Sequence, residues 1–305
     1  MELRHLRYFV AVAEELHFGR AATRLHLAQP PLSRQIRALE DEVGVGLLAR
    51  TNRRVALTEA GRVFLEGARR TLAQADAAVG DARRAERGEI GRLALGFVGT
   101  ATYDVLPRLL RAFRVASPDV ALELQSLTTG EQVAAFRERR LDIGLLRPPV
   151  DDPTLSLRTI VREPLLVVLP DTHPLAGYAR VPLGALADDP FILYRRASGP
   201  ATHDRIVGAC LWAGFSPAIV QETDEMQTMA GLVAGGLGVA LMIAPIGAPH
   251  SAGVVYKPLE GATPTWEMAL VWRHDNETAV VRAFLAVSED VVHQLQEGQD
   301  RMVEV

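Results

Sequence analysis

The sequence predicts an α+β multidomain protein in which an N-terminal winged helix-turn-helix and a long linker helix precede a larger α/β region. Three observations support this fold class. Two short helices meet at a tight turn within residues 20–43, small and apolar residues recur at a three-four spacing from Leu65, and strands alternate with helices beyond residue 91. The chain has 305 residues, enough for roughly two or three domains.

The first three helices are predicted from their apolar faces. Residues 3–16 predict a first helix, whose core face comprises Leu6, Phe9, Val10, Ala13 and Leu16. A second helix ends near Leu25, and a third begins near Pro30. Proline is tolerated there because the first N–H groups of a helix have no partner within it. The core face of the third helix comprises Leu32, Ile36, Leu39 and Val43. Its opposite face is short, polar and basic, which is typical of a helix that enters a DNA groove.

A hairpin and a long helix follow. Gly44 predicts the end of the third helix, and residues 47–58 predict two short strands with basic residues at the tip, the wing of the motif. Thr58 is a candidate N-cap of the long helix.

The long helix carries a seam of small and apolar residues. Its members are Leu65, Ala68, Leu72, Ala75, Val79 and Ala82. This spacing favours pairing with a second copy of the helix, and the alternative is a helix that packs on its own domain. Residues 88–91 end the helix and predict a hinge.

Beyond residue 91 the pattern predicts an α/β region. Predicted strands lie at 93–98, 121–125, 143–146, 165–169, 191–194, 218–221, 239–242 and 268–272. Predicted helices lie at 103–116, 131–140, 202–213, 226–234 and 278–296.

Charge and composition narrow the class of protein. The net charge is −4, but residues 1–91 carry +3 and residues 92–305 carry −7, which fits a nucleic-acid-binding front part. No stretch is apolar over the length of a membrane span and the N-terminus lacks a secretory signal, so we expect a cytoplasmic protein. The single cysteine, Cys210, excludes an internal disulfide and a multi-cysteine zinc site, and we expect no metal or cofactor.

Two other classes of protein are disfavoured by the sequence. An enzyme is disfavoured because the chain contains no GxxxxGK[ST], GxSxG, HExxH or GxGxxG motif, and because Cys210 lies in an apolar helical context. The C-terminal two thirds of the chain alone could form a solute-binding protein. The helix-turn-helix pattern argues against it.

The assembled residues resemble the LysR-type transcriptional regulators over essentially the whole chain, and the segment from Leu6 to Thr51 matches that family's N-terminal signature. The resemblance implies a DNA-binding domain at 1–58, a linker helix for dimerisation at 59–87, a hinge at 88–91 and an effector-binding domain at 92–305. That domain would have two α/β lobes similar to type 2 periplasmic binding proteins, one at 92–163 plus 268–305 and the other at 164–267. The implied partners are double-stranded promoter DNA, a small-molecule effector, a second copy of the chain in a homodimer or homotetramer, and RNA polymerase as a candidate.

One departure from the family lies at the turn, where Ala28 replaces a common serine and removes a helix cap worth about 1 kcal/mol. The candidate DNA-binding residues are Gln29, Pro30, Pro31, Ser33, Arg34, Arg37, Arg53 and Arg54. Of these, we expect Gln29, Ser33 and Arg34 at base edges and the other arginines at phosphates.

Candidate effector residues lie where strands end and helices begin, because free N–H groups there favour anions. In the first lobe they are Thr100, Thr128 and Thr129, although a threonine at such a junction is more often a plain helix cap. Arg147 could pair with an effector carboxylate, or form a structural ion pair with Asp142 or another acid. In the second lobe the candidates are Phe191 as an apolar wall and, as polar groups, Tyr194, Ser198, Thr202 and Gln227. The segment 96–113 is similar to family members that sense aromatic acids, which favours an organic or aromatic carboxylate.

Overall fold

The computed structural model describes residues 1–51, 54–243, 252–261, 264–276 and 278–303. They form two compact units, Met1–Arg84 and Ala85–Val305. Among the described helices, none combines the length and the apolar character that a membrane span requires.

The first unit is a winged helix-turn-helix followed by a long helix, as predicted. Its elements are α1 (Leu3–Glu15), α2 (Phe18–Arg24), α3 (Gln29–Val43), the antiparallel strands β1 (Leu48–Thr51) and β2 (Arg54–Leu57), and α4 (Glu59–Glu86). Phe9, Leu32, Ile36 and Leu39 are fully buried in its core. The apolar spacing of α3 therefore holds that helix against α1 and α2 and leaves its polar face outward.

The predicted helix ends are confirmed in this unit. Gly44 ends α3 with a φ of 81°, a conformation that glycine adopts without steric cost. Thr58 caps α4, since its Oγ1 accepts a hydrogen bond from the N–H of Gly61 at 2.9 Å.

The seam on α4 divides into two halves. Leu65, Ala68 and Leu72 pack against the core of the winged domain, so here the alternative of a helix lying on its own domain is correct. Farther along, Val79 is 51 % exposed and Ala82 is also exposed. Only the second half of the seam is left with an uncovered apolar face, and that half begins near Ala75.

The second unit is an α/β domain. Its strands are β3 (Ile90–Phe97), β4 (Asp119–Ser126), β5 (Ile143–Leu146), β6 (Leu155–Pro170), β7 (Pro190–Tyr194), β8 (Ala218–Thr223), β9 (Val239–Ile243), β10 (Val254–Pro258) and β11 (Thr265–Arg273). Its helices are α5 (Val105–Ala116), α6 (Thr129–Arg137), α7 (Pro200–Trp212), α8 (Met226–Ala234) and α9 (Ala279–Val303), with short 3₁₀ helices at Gly99–Tyr103 and Leu183–Leu186.

The described strands form one sheet in the order β4-β3-β5-β11-β6-β9-β7-β8, and β10 pairs with β6. Two antiparallel strands, β6 and β11, run side by side through its middle from Leu155 to Pro164. We call β3, β4 and β5 with α5, α6 and α9 the first lobe, and β7 to β10 with α7 and α8 the second lobe. Each lobe has its own buried clusters on the two sides of its strands.

Two sequence predictions need correction here. The strand predicted at 165–169 is the second part of β6, whose first part was missed together with β10. Residues 90 and 91, which were predicted as part of a hinge at 88–91, belong to β3, because Ile90 and Gly91 pair with Asp119 and Val120 in the sheet. Gly88, with a φ of 72°, lies so close to the backbone of α9 that a Cβ would come within 2.4 Å of the Ala279 oxygen.

Candidate nucleic-acid interface and ligand cleft

The outer face of α3 carries the predicted DNA-binding residues. Gln29, Pro30, Arg34 and Arg37 are exposed, whereas Pro31 and Ser33 are partly buried. Ala28 occupies the N-cap position and makes no side-chain cap, as its methyl group requires. The N–H groups at the start of α3 therefore lack a side-chain acceptor from the N-cap.

Two arginines on this face differ from others in the unit, because they have no acidic partner in the described part of the chain. Arg34 and Arg37 form no ion pair with any residue that the structure describes. Arg20, Arg24 and Arg50, by contrast, pair with carboxylates of the same unit. The face therefore retains two positive charges, which is what a phosphate or the acceptor edge of guanine would neutralise.

The wing carries the two remaining predicted DNA-binding residues, Arg53 and Arg54. Arg54 begins strand β2, where it is paired in register with Thr51. Arg53 lies outside the described residues.

In the first lobe, three predicted effector residues are joined by hydrogen bonds. The Arg147 Nη2 atom donates to Thr100 Oγ1 at 3.0 Å, and the backbone N–H of Arg147 donates to Thr129 Oγ1 at 3.3 Å. These residues follow β3, β4 and β5, which are neighbours in the sheet and parallel to one another. Because the carboxyl ends of parallel strands meet at one edge, residues distant in sequence come together there.

The guanidinium of Arg147 is also held by an ion pair. Its Nη2 atom contacts the carboxylate of Glu163 on β6, and less than a tenth of either side chain is exposed. The alternative of a structural ion pair is therefore confirmed, with Glu163 as the partner. Asp142 is engaged elsewhere, since it accepts hydrogen bonds from Ala94 N at 2.9 Å and Asn276 Nδ2 at 3.1 Å.

One donor of Arg147 remains free. Its Nη1 atom is buried and has no hydrogen-bond partner among the described residues. A buried cationic donor without an acceptor is costly, so it is a position where an added acceptor would be stabilising.

Thr128 serves as a helix cap. Its Oγ1 accepts from the N–H of Glu131 at 3.3 Å, and the Glu131 carboxylate in turn accepts from the Thr128 N–H at 2.7 Å. The backbone N–H of Thr128 and its hydroxyl, at 2.9 Å, both donate to this carboxylate and hold the pKa of Glu131 below its ordinary value. The hydroxyl of Thr128 is thus committed to the capping box, as the plain-cap alternative expects.

The second lobe brings two candidates close together, and the other two lie in the first turns of its helices. The ring of Tyr194 packs on Gly199, where a Cβ would lie 2.7 Å from its Cε1 atom. The Ser198 hydroxyl, next in the same turn, donates to Asp224. Thr202, in the first turn of α7, is partly buried, and Gln227, in the first turn of α8, is exposed.

Phe191 was predicted as an apolar wall of the cleft, and the structure corrects this prediction. The side chain is fully buried beneath α7, where it packs against Phe215 with ring centroids 5.7 Å apart. Strand residues alternate between faces, so Phe191 and Tyr194 cannot both face a common pocket.

Tyrosines mark where the two lobes approach each other. Burial raises the pKa of Tyr194, and the nearby carboxylates of Asp224 and Glu131 raise it further. Burial and then the proximity of Tyr256 raise the pKa of Tyr103. Since Glu131 and Tyr103 lie in the chain segments of the first lobe, and Tyr194 and Tyr256 in those of the second, the two lobes approach each other at these groups.

Sequence reasoning missed Glu163, Tyr103 and Tyr256. One signal for Glu163 was present, because it is a carboxylate that directly precedes the apolar run 164–170. Such a residue, when buried, needs a cationic partner.

Cys210 is a buried thiol, as predicted. It is fully enclosed on the α7 side of the second lobe, and burial raises its pKa to about 11. Within the described ranges no group of His, Cys, Asp or Glu residues is arranged to hold a metal ion.

Comparisons with known proteins agree with this architecture. Residues 3–62 match the model of the bacterial regulatory helix-turn-helix proteins of the lysR family, and residues 86–292 match that of the LysR substrate binding domain. The chain is 40% identical to the HTH-type transcriptional regulator AlsR of Bacillus subtilis (strain 168), over 94% of this chain and 95% of AlsR. It is 42% identical to the HTH-type transcriptional regulator IlvR of Caulobacter vibrioides, over 95% of this chain and 98% of IlvR.

A solved structure is similar over the full length. Full-length CbnR complexed with its target DNA superimposes with a TM-score of 0.85 at 29% sequence identity, over 96% of this chain and 100% of that chain. These relatives are transcriptional regulators and not enzymes.

Proposed function

This chain belongs to the LysR family of transcriptional regulators, and from that premise we propose which of its residues contact promoter DNA and which bind the effector. As a member of that family it is a DNA-binding regulator with an effector-binding domain. The proposal concerns the finer assignments.

The α3 helix enters the major groove of the promoter. Gln29, Ser33 and Arg34 then lie near base edges, and Arg37, Arg53 and Arg54 near phosphates. The observation that supports this is the absence of ion pairs at Arg34 and Arg37 within the described chain, on a face whose reverse side is the domain core.

The effector is a small organic carboxylate that binds between the lobes. The similarity of the segment 96–113 to sensors of aromatic acids favours an aromatic one. The unpartnered Nη1 atom of Arg147 supports a carboxylate, together with the hydroxyls of Thr100 and Thr129 beside it. A carboxylate oxygen would complete the donor set of Arg147 with a charge-assisted hydrogen bond. Tyr194 and Ser198 would close over the remainder of the ligand from the second lobe.

Two chains pair through the exposed half of the α4 seam, at Ala75, Val79 and Ala82. Such a dimer places two α3 helices in successive major grooves of a palindromic site. We extend the proposal to a tetramer of two dimers and to contact with RNA polymerase at the promoter. Effector binding then changes DNA binding only as far as it favours one arrangement of the lobes.

Calorimetry tests the effector class. Benzoate and succinate are titrated into the full chain beside their uncharged amides, and the series is repeated with Arg147→Gln. We expect binding by a carboxylate, no binding by the matching amide, and loss of carboxylate binding in the variant. Binding of a neutral or cationic ligand with no carboxylate bound across a wider panel of acids would contradict the proposal.

A further inference from the structure

A fully buried glutamine lies behind the proposed effector site. Gln132 is on the first turns of α6 and is 0 % exposed. Its Nε2 atom donates two hydrogen bonds, to the carbonyl oxygen of Leu127 at 3.0 Å and to that of Leu145 at 3.1 Å. One side chain therefore links the segment after β4 to strand β5.

The same two residues are bonded to a third strand. The N–H of Val98 donates to the carbonyl oxygen of Leu145 at 2.9 Å, and the N–H of Leu127 donates to that of Phe97, also at 2.9 Å. The amide of Gln132 thus completes a network that spans the ends of β3, β4 and β5. Beyond these three ends, within three residues along the chain, lie Thr100, Thr129 and Arg147.

The sheet is shaped to receive this amide. Gly96 and Gly144 are direct register partners on β3 and β5. A Cβ on Gly96 would lie 3.2 Å from Gln132 Oε1, and one on Gly144 would lie 2.7 Å from it. Gly144 therefore leaves room for the amide, since a Cβ there would overlap its oxygen, whereas a Cβ at Gly96 would crowd the amide and overlap Leu141 Cδ1 at 2.6 Å.

An apolar side chain at position 132 would fill this space with a smaller unfavourable contribution to the free energy of folding. Gln132 Oε1 is buried without a hydrogen-bond partner among the described residues, and burying an unsatisfied amide oxygen disfavours folding. The orientation of the amide is nonetheless fixed, because two carbonyl oxygens can only accept and so require its NH₂ group. The two hydrogen bonds that the amide donates hold the three strand ends in alignment.

We propose that Gln132 is a positioning residue for the effector site. It sets the relative placement of the three segments that carry Thr100, Thr129 and Arg147, and it does so without contacting the effector, since none of it is exposed. The role of those three residues rests on the proposed function. The alignment itself does not, and can be measured in the absence of any ligand.

Amide hydrogen exchange of the full chain tests this alignment. Gln132→Met keeps an unbranched side chain of similar length and removes both donors. We expect exchange at the N–H groups of Val98, Leu127 and Arg147 to become about tenfold faster or more, because each lies in or next to the lost network. Amides that pack with the second lobe, such as that of Val168 on β6, should keep their rates.

Ser288→Ala is the matched control. Ser288 is also fully buried, and its hydroxyl donates to the Leu285 carbonyl oxygen at 2.7 Å within α9, so its loss removes a buried hydrogen bond elsewhere in the same unit. It should leave the three strand-end amides unchanged. Faster exchange throughout the unit in Gln132→Met would reveal a purely structural residue and overturn the proposal, as would unchanged exchange at the three amides.

A second variant covers the case in which Gln132→Met fails to fold. Gln132→Asn keeps the amide but is one methylene shorter, so it reaches at most one of the two carbonyls, and we expect selective but smaller acceleration at the same three amides. Exchange that is uniform or unaltered in this variant counts against the proposal in the same way. Failure of the effector assignment would appear separately, as an absence of carboxylate binding to the unmodified chain.

Discussion

The guanidinium of Arg147 and the carboxylate of Glu163 form an ion pair in which only 9 % and 4 % of the two side chains are exposed. The pair joins the end of β5 to the central strand β6, and so ties the first lobe to the strands that lead to the second. Two charges removed from water depend on each other, because either one alone would be buried without compensation.

This dependence predicts a non-additive effect on stability. Arg147→Met and Glu163→Met should each lower the free energy of unfolding by about 3 kcal/mol. The double variant should lose less than either single variant, since neither charge is then left alone. Urea unfolding followed by tryptophan fluorescence reports on the right unit, as Trp212, Trp266 and Trp272 all belong to it. Additive losses would show that the two charges are not coupled.

The sequence predicted the parts of this site that local chemistry determines. The boundaries of α8 and β5 agree with the structure to the residue, and the ends of β3, β4 and β5 were recognised by their threonines and by Arg147. The partner of Arg147 was not, because Glu163 lies on a strand that was missed and only the sheet order brings it near.

Two other failures have physical causes. The first part of β6 carries a register shift against β11 between Met268 and Ala269, which breaks the alternation that identifies a strand. Phe191 was assigned to the cleft because it is apolar, and a sequence does not say which face of a strand points to α7.

Arg34 and Arg37 of α3 form no ion pair with a described residue, and their substitutions should change DNA binding in two different ways. Arg34→Ala should lose roughly 1–3 kcal/mol of discrimination at one base pair. Arg37→Ala should instead weaken binding to all sequences and reduce the salt dependence of log Kd by about one unit. Selection from a randomised DNA pool, with salt titrations, measures both. Arg62→Ala is the control, because Arg62 is exposed but paired with Glu59, and it should change neither quantity.

The exposed half of the α4 seam predicts where dimerisation is sensitive. Val79→Asp places a charge in the proposed helix pair and should raise the dimer dissociation constant at least about tenfold, as judged by analytical ultracentrifugation. Val63→Asp on the same helix is the comparison. Val63 is 68 % exposed and lies off the seam, so its substitution should leave the dimer intact. If both variants associate as the unmodified chain does, the helix is not the interface.

The buried thiol of Cys210 should be nearly inert. Its pKa of about 11 lowers the thiolate fraction at about pH 8 by roughly 100-fold relative to the ordinary value of 9.0, and the thiolate is the reactive form. Iodoacetamide should therefore modify the unfolded chain quickly and the folded chain hardly at all, as mass spectrometry would show. Peroxide should likewise leave DNA binding unchanged, and rapid modification of the folded chain would refute the assignment.

One substitution at two glycines of α4 should have opposite effects on stability. A Cβ at Gly61 would lie 2.0 Å from the carbonyl oxygen of Leu47, so Gly61→Ala must displace the hairpin from the helix and should cost about 2 kcal/mol. A Cβ at Gly67 meets nothing within 4 Å, so Gly67→Ala should stabilise the helix by about 0.5–1 kcal/mol through the lower entropy of the unfolded chain. Thermal unfolding followed by far-ultraviolet circular dichroism measures both. Loss of stability in both variants would mean that helix α4 is closely packed at Gly67 as well, on a surface that a single chain leaves open.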